Sequence, residues 1–415
     1  MAEQNLFEMV KRHLCSCSTD LVLSENVEAV LKMPQREIHV SIPVRMDDGK
    51  IRAFQGFRVQ YNDALGPTKG GIRFHPEETI DTIRGLASLM TWKCSLHNLP
   101  LGGAKGGIVC NPKDLSTTEL ERLSRAYVQV MFPYLGPDRD IPAPDVYTTP
   151  AIMAWMMDEY SKIAGKTTFG SFTGKPVSLG GSEGRLDATA RGGWYVVREA
   201  ARNMGLNLSG ARVAIQGFGN VGSFAALLGQ EVFGARVVAV SDSGGGVYNP
   251  DGLPVRDLMV HKSGTGSVQK FPGATNITNE ELLELSVDIL IPAALENVIN
   301  RSNAQKIRAS LVAEFANGPV DNEADESLFK RGVQVLPDFL ANGGGVIVSY
   351  FEMVQNFNMD QWDEEKVHRK LEKKMTDAYR AVHALALQNN APLRQAAYSI
   401  AVARVVDAMK MRGWV

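Results

Sequence analysis

An apolar run, Ala211-Arg-Val-Ala-Ile-Gln216, passes without a break into Gly217-Phe218-Gly219-Asn220-Val221-Gly222 and then into a helical pattern from Ser223 to Phe233. Strand, glycine turn and helix in that order commit the chain to a crossover that lays a second parallel strand beside the first. The second strand is legible as Ala235 to Val240, and it ends in Ser241-Asp242-Ser243. Three glycines at this spacing are a weak signal alone. Between a strand and a helix, with an acid twenty residues beyond Gly222, they meet the conditions for a dinucleotide-binding turn. Gly217 makes the tight turn, Gly219 lets a pyrophosphate approach the backbone, and the helix N-terminus near Asn220 favours its charge. Candidate contacts are therefore Gly217, Gly219, Asn220, Val221 and Gly222, with Asp242 for the adenosine ribose.

Three further strand-like runs, Val287 to Pro292, Leu311 to Ala316 and Val333 to Pro337, extend this to a parallel sheet. Ligands bind at the carboxyl ends of such strands. That makes the loops Ala293-Ala294, Asn317-Gly318-Pro319 and Asn342 to Gly345 cofactor-facing candidates, although a glycine-rich turn is also the ordinary way to end a strand. At 415 residues the chain is too long for a single core. Composition shifts at the Gly-, Ser- and Thr-rich segment Gly165 to Arg185, where a boundary is expected. The organisation predicted is α/β: residues 1–180 a first domain, 181–350 a dinucleotide-binding domain, and 351–415 C-terminal helices.

Lys plus Arg (44) nearly balances Asp plus Glu (46), so no global field points to nucleic acid or an anionic membrane. No apolar run reaches the length of a spanning helix, and the first residues carry acids in place of a signal-peptide core, so a cytoplasmic location is the expectation. Four cysteines, at 15, 17, 94 and 110, do not make a disulfide framework. Cys15 and Cys17 have no second pair or His cluster at zinc spacing, and no metal is expected.

In the N-terminal half, residues 4 to 33 have helical periodicity, and Arg36 to Tyr61 alternates with period two around Asp47-Asp48-Gly49-Lys50, as in a β-hairpin. Gly66-Pro67-Thr68-Lys69-Gly70-Gly71 and Leu101-Gly102-Gly103-Ala104-Lys105-Gly106-Gly107 then each set a lysine among glycines, and both stretches read as loops flanking a helix from Glu77 to Asn98 that carries Lys93 near its end. Any one of these lysines can be a solvated side chain. Three together suggest a pocket for a dianion, in which neighbouring ammonium groups and loss of solvation push one amine, that of Lys105, toward neutrality. Asp145 closes Asp140-Ile-Pro-Ala-Pro-Asp145, a loop stiffened by prolines. It suits a positioned proton carrier, and equally an N-cap for the helix expected from Pro150.

Six motifs, GPTKGGIRF (66–74), TWK (91–93), LPLGGAKGGIVCNP (99–112), DIPAPD (140–145), GFGNVG (217–222) and VSYFE (348–352), resemble the glutamate/leucine/phenylalanine/valine dehydrogenase family over essentially the whole chain and in the family's order. The resemblance implies a Rossmann-like dinucleotide-binding domain beside an α/β domain, residues 1–180, that binds substrate and oligomerises, with residues 351–415 packing back on it, and hexameric assembly of the short prokaryotic kind. It implies that Lys105 is the catalytic lysine, Asp145 the proton-transferring aspartate and Lys93 the grip on a substrate α-carboxylate. Lys69 and Ser349 match the pair that holds the side-chain carboxylate in glutamate-specific members. Thr189, Asn220, Asn317 and Asn342 fall where the family contacts its dinucleotide. Ala190 stands where many members have Gly, and Gly343 where many have Ala.

The activity that the resemblance implies is reversible oxidative deamination of L-glutamate to 2-oxoglutarate and ammonium. Members acting on branched-chain or aromatic amino acids have apolar residues at the Lys69 and Ser349 positions, and a silent regulatory paralogue would have lost Lys105 or Asp145. Both alternatives are therefore disfavoured. Asp242, followed by Ser243-Gly-Gly-Gly246 with no basic residue, favours NAD over NADP, although Lys262 can reach in.

Overall fold

A computed structural model describes residues 6–21 and 23–415; the side chains of Cys15 and Cys17 lie outside the described ones. The chain divides into two compact units, one of residues 1–185, 346–368 and 398–415, the other of residues 186–345 and 369–397.

The first unit opens with helices α1 (Leu6–Leu21) and α2 (Glu25–Leu31) and the hairpin β1 (Arg36–Arg45) and β2 (Ile51–Asn62). Then come β3 (Thr68–His75), α3 (Ile80–Leu96), β4 (Gly102–Val109), α4 (Thr117–Met131), β5 (Asp140–Pro144) and α5 (Pro150–Ala164). The strands form one sheet in the order β1-β2-β4-β3-β5. Both lysine-bearing glycine stretches, expected as loops, are strands of this sheet. β3 pairs parallel with β4, Lys69 opposite Gly103, and parallel with β5, Lys69 opposite Ile141. The glycines serve close packing: a Cβ at Gly70 would overlap the Ala104 carbonyl, and one at Gly103 would overlap the backbone and hydroxyl of Thr91 on α3. Sequence periodicity could not reveal these strands, because glycine carries no apolar side chain to alternate. On one sheet face, α4 and α5 bury Tyr127, Val128, Met131, Ile152, Met153 and Met156 against Ile42, Phe54, Ile72 and Ile108.

The second unit contains α6 (Ala188–Met204), β6 (Arg212–Gln216), α7 (Asn220–Glu231), β7 (Arg236–Asp242), β8 (Gly245–Tyr248), α8 (Val255–Thr265), β9 (Thr275–Ile277) and α9 (Asn279–Leu283). β10 (Ile289–Pro292), β11 (Leu311–Ala313), α10 (Asn322–Lys330), β12 (Gln334–Leu336) and α11 (Asp338–Ala341) complete it. The sheet order is β12-β11-β10-β6-β7-β8-β9. Five strands are parallel as expected; β8 and β9 add an antiparallel edge, β8 turning back from β7 at Asp242 opposite Gly245. Gly245 and Gly246, shortly after Asp242, open that edge.

The C-terminal helices are α12 (Gly344–Asn358), α13 (Glu364–Asn389) and α14 (Leu393–Met411). Expected to join the first unit together, they are shared between the two. α13 presents a buried stripe of Leu371, Met375, Tyr379 and Val382 and pairs Glu372 with Arg198 of α6 at 2.7 Å, so most of it belongs to the second unit. The last turns of α14 belong to the first, where Arg404 donates to the carbonyls of Ser95 and Leu96 at 2.8 Å each and so satisfies the C-terminal end of α3.

Candidate active site

Side chains alternate along a strand, so Lys69, Gly71 and Arg73 of β3 share a face, as do Gly103 and Lys105 of β4. α3 lies on that face, against Gly103. The space a Cβ would take at Gly71 is filled by the Asp145 carboxylate. There Asp145 Oδ2 meets Lys105 Nζ at 2.5 Å, and Oδ1 lies 3.7 Å from Arg73 Nε. Burial raises the Asp145 carboxyl, but Lys105 and Arg73 outweigh it and hold the group below the usual carboxylate range. Arg73 also lies 3.4 Å from Glu78, whose carboxyl burial pushes up.

Asp145 does not cap α5; Thr149 does, accepting from the Ile152 amide at 3.4 Å. The Asp145 amide donates to Thr148 Oγ1 at 2.6 Å, and that hydroxyl donates to the Ile72 carbonyl at 2.9 Å, which pins the turn to β3. Tyr147, in the same turn, sits at φ +56°, a left-handed conformation unusual for a bulky residue. Its ring stacks on His75, and Lys113 Nζ lies 5.6 Å from its centre.

Lys69 is 1% exposed. Its ammonium donates to Thr173 Oγ1 at 2.7 Å and to the Ile141 carbonyl at 3.2 Å, both neutral groups. Burial drives its pKa down to about 7, with Glu352 opposing and Arg58 and Arg185 adding to the fall. Lys93, in the last turn of α3, is buried too, and Cys94 lies within electrostatic range of both lysines. Lys105, the amine expected to fall toward neutrality, is paired with an acid, and the amine that burial drives down is that of Lys69.

Ser349, expected to act with Lys69, accepts instead from Arg185 Nε at 3.3 Å. Behind them Glu352 is fully buried, accepting from Lys175 Nζ at 2.6 Å and from the Gly174 amide at 2.7 Å. Three cations, Lys69, Lys175 and Arg185, thus gather around one carboxylate, and the surplus is positive. Arg185, Thr173 and Glu352 do not stand out in the sequence. The first two lie in the Gly-, Ser- and Thr-rich segment that reads as a linker, and only the Glu inside VSYFE hints at a partner cation.

In the second unit the turn after β6 fits a dinucleotide by two independent observations. Gly219 has ordinary backbone angles, φ −82°, and a Cβ there would meet nothing within 4 Å, so the protein's own packing does not require glycine and the open space lies on the outer side of the turn. Two buried acceptors, Gln216 Oε1 at the end of β6 and Asn342 Oδ1 after α11, have no hydrogen-bond partner, as atoms that await a ligand donor would. Asn342 Nδ2 donates to Asn317 Oδ1 at 3.1 Å, bringing two predicted contacts together, while Gly217 makes its turn at φ +96° and Thr189 stands in the first turn of α6. Asp242 accepts from the amides of Gly244 (2.9 Å) and Val268 (2.7 Å) and from Ser267 (3.2 Å), and pairs with Lys262 at 3.3 Å. Lys262 also donates to the Phe218 carbonyl at 2.9 Å, so this cation is engaged at the glycine turn.

Among the described residues no group of His, Cys, Asp and Glu can hold a metal ion, and no helix is long and apolar enough to cross a membrane.

A family model described as Glutamate/Leucine/Phenylalanine/Valine dehydrogenase matches residues 180–413, and one described as Glu/Leu/Phe/Val dehydrogenase, dimerisation domain, matches residues 34–162. The chain is 50% identical to a glutamate dehydrogenase of Thermotoga maritima, covering 100% of this chain and 99% of that one. It is 49% identical to the cryptic catabolic NAD-specific glutamate dehydrogenase of Bacillus subtilis, covering 94% and 92%. Its structure matches the hetero-hexameric glutamate dehydrogenase of Thermus thermophilus, leucine-bound, with a TM-score of 0.95 at 40% identity over 100% of this chain and 98% of that one. The chain belongs to the glutamate/leucine/phenylalanine/valine dehydrogenase family.

Proposed function

We propose that the chain catalyses the reversible NAD-dependent oxidative deamination of L-glutamate to 2-oxoglutarate and ammonium. One observation carries the choice of substrate: Lys69 is buried with only neutral partners, in a pocket with surplus positive charge. A substrate side-chain carboxylate supplies the missing partner, whereas an aliphatic or aromatic side chain would leave a buried ammonium unpaired. The names of the relatives support the same reading of substrate and cofactor.

In this reading Lys69, Ser349 and Arg185 hold the side-chain carboxylate and Lys93 the α-carboxylate, fixing the α-carbon for transfer. NAD, when bound, accepts the hydride from that carbon. Gly217, Gly219, Asn220, Val221, Gly222, Asp242, Thr189, Asn317 and Asn342 hold the dinucleotide. Loss of hydride together with an amine proton leaves an iminium; water adds to its carbon and gives up a proton, and the resulting carbinolamine collapses to the ketone as the C–N bond breaks and ammonia leaves. Lys105 orients that water and stabilises the oxyanion as it develops. Asp145, 2.5 Å from Lys105, takes up and returns the proton that moves between water, substrate nitrogen and lysine. Asp242 fits NAD, because its carboxylate repels a 2′-phosphate while it can share a bond with ribose hydroxyls. We further place the enzyme in the cytoplasm as a homohexamer; the hetero-hexameric relative supports the number of subunits.

Initial rates with glutamate, leucine and phenylalanine, each with NAD and with NADP, test the reading. Glutamate is expected to exceed leucine and phenylalanine by at least about a hundredfold, the cost of one unpaired buried charge, and with glutamate NAD is expected to give a higher rate than NADP. A rate with leucine equal to that with glutamate would sink it.

A further inference from the structure

The loop that follows β11, proposed above to face the dinucleotide, is held from behind by a single guanidinium shared among three carboxylates. Arg394, in the first turn of α14, is buried, and so are Glu314, Asp325 and Asp338 around it. Both terminal nitrogens of Arg394 donate to Glu314, one of them at 3.2 Å. Its Nε lies 3.2 Å from Asp325, and Nη1 lies 3.6 Å from Asp338 Oδ1.

Three acids to one base inside a protein is an expensive arrangement unless the remaining oxygens have work to do. They do. Glu314 accepts from the Asp338 amide at 2.8 Å. Asp338 Oδ1 accepts from the Phe339 amide at 2.8 Å, and Oδ2 accepts from the Gly318 amide at 2.9 Å. The chain of bonds thus runs from Arg394 through Glu314 and Asp338 to the backbone of Gly318. Asn317, the adjacent residue, is exposed, and its side-chain oxygen takes the amide of Asn342, whose own oxygen lacks a partner.

We propose that Arg394 is a positioning residue for the dinucleotide: by fixing Glu314 and Asp338 it sets the backbone at Asn317-Gly318 and, through it, the Asn317 and Asn342 amides against the cofactor. The inference rests on the NAD-binding role assigned to that loop above. Burial lifts the Glu314 carboxyl to about 8, with Arg394 opposing the rise and Asp338 and Asp325 adding to it. Removing Arg394 therefore removes the cation that favours a charged Glu314. A cluster that served only to pin the start of α14 would lower thermal stability and disturb every kinetic constant together, whereas a positioning role predicts a loss confined to the cofactor.

The test is direct titration of the purified full-length enzyme with NADH, followed by fluorescence, for Arg394→Met, Arg394→Lys and Asp338→Asn, with KM for glutamate and the thermal midpoint measured alongside. Arg394→Met is expected to weaken NADH binding tenfold or more while KM for glutamate stays within twofold, and Arg394→Lys to recover binding to within threefold of the parent. Should Arg394→Met fail to fold, Asp338→Asn, which keeps the shape and loses the charge, is expected to weaken NADH binding threefold or more. NADH binding within twofold of the parent in either folded variant, or parallel losses for NADH and glutamate, overturns the proposal. Parent enzyme that binds NADH and oxidises glutamate while the variants do the same removes only the positioning role; parent enzyme that binds no NADH overturns the functional reading and this inference together.

Discussion

Lys69 and Lys105 are near twins in sequence, each a lysine among glycines on adjacent strands of one sheet, and the fold gives them opposite surroundings. Lys105 is joined to Asp145 at 2.5 Å, a charge already answered within the protein. Lys69 has a hydroxyl and a carbonyl and no bonded carboxylate, a charge left for something else to answer. The glycines explain only how closely the strands, α3 and a ligand can approach. Which lysine binds and which moves protons is set by the acid that reaches it. In the proposed mechanism that division separates substrate recognition from chemistry, and it can be attacked at either end.

The largest expected effect is at Lys105. Lys105→Ala should lower kcat by about 10³-fold or more, the range for removing a positioned acid–base group together with its oxyanion stabilisation. Binding of 2-oxoglutarate should remain within a few-fold, measured by calorimetry in the presence of NADH. Tight coupling of both losses would mean that Lys105 binds as well as reacts, and the division between the two lysines would fail.

Next comes Lys69. Lys69→Met should lower kcat/KM for glutamate by roughly 10²- to 10³-fold, the consequence of a buried carboxylate deprived of its partner at about 3 to 4 kcal/mol. The discriminating result is the profile across substrates: activity on norleucine or methionine should fall far less, or rise. An equal loss on every substrate would place Lys69 in the chemistry.

A smaller effect comes from pH. In the free enzyme Lys69 has its pKa lowered to about 7 by burial, so above that pH the amine is increasingly neutral. A dicarboxylate favours the ammonium form, so binding must take up a proton, and affinity should fall by up to about tenfold per unit as pH rises beyond 7. Calorimetric titration with glutarate in two buffers of different ionisation heat measures that proton directly; no uptake at pH 8 would contradict the assignment. The same shift carries a folding sign. The unfolded chain binds the Lys69 proton up to its ordinary pKa of 10.5, so this residue's contribution to stability improves between about pH 7 and 10.5 and is least favourable below 7.

The two sites also differ in how legible they are in the sequence. The dinucleotide turn can be read residue by residue, because strand, glycine spacing, helix and acid are all local in sequence, and the parallel strands announce themselves as apolar runs. β3 and β4 cannot, since a strand built from glycine has no alternation to detect. The roles of Lys105 and Asp145 come from family resemblance and their pairing only from the fold; by physics alone, Asp145 reads equally well as a helix cap. Arg185 and Glu352 are hidden because their significance is tertiary: one lies at the end of a linker-like segment and the other on a helix in the last quarter of the chain, and only the fold brings both to the Lys69 pocket. For the same reason Arg394, on the last helix, carries no sign in sequence of the loop it supports.

The smallest effect tests whether the Lys105 side of the comparison depends on local strain. Tyr147, two residues beyond Asp145, is held at φ +56° by its stack on His75 and by Lys113. Replacing it with glycine removes about 1 to 2 kcal/mol of left-handed strain. Greater freedom of glycine in the unfolded chain costs back about 0.5 to 1 kcal/mol, and the lost ring contact takes roughly 0.5 kcal/mol or more. The terms nearly cancel, so the thermal midpoint of Tyr147→Gly should move by no more than a few degrees. Catalysis need not be neutral. If the aromatic anchor keeps the Asp145 turn still, kcat should drop by about two- to fivefold, worth roughly 0.4 to 1 kcal/mol in the barrier, with KM for glutamate unchanged because Lys69 is untouched. Tyr147→Asn, which tolerates the same backbone angles, should show the same drop, since it keeps the conformation and loses the anchor. An unchanged kcat in both variants would assign the whole task of holding Asp145 to Thr148 and its bond to Ile72.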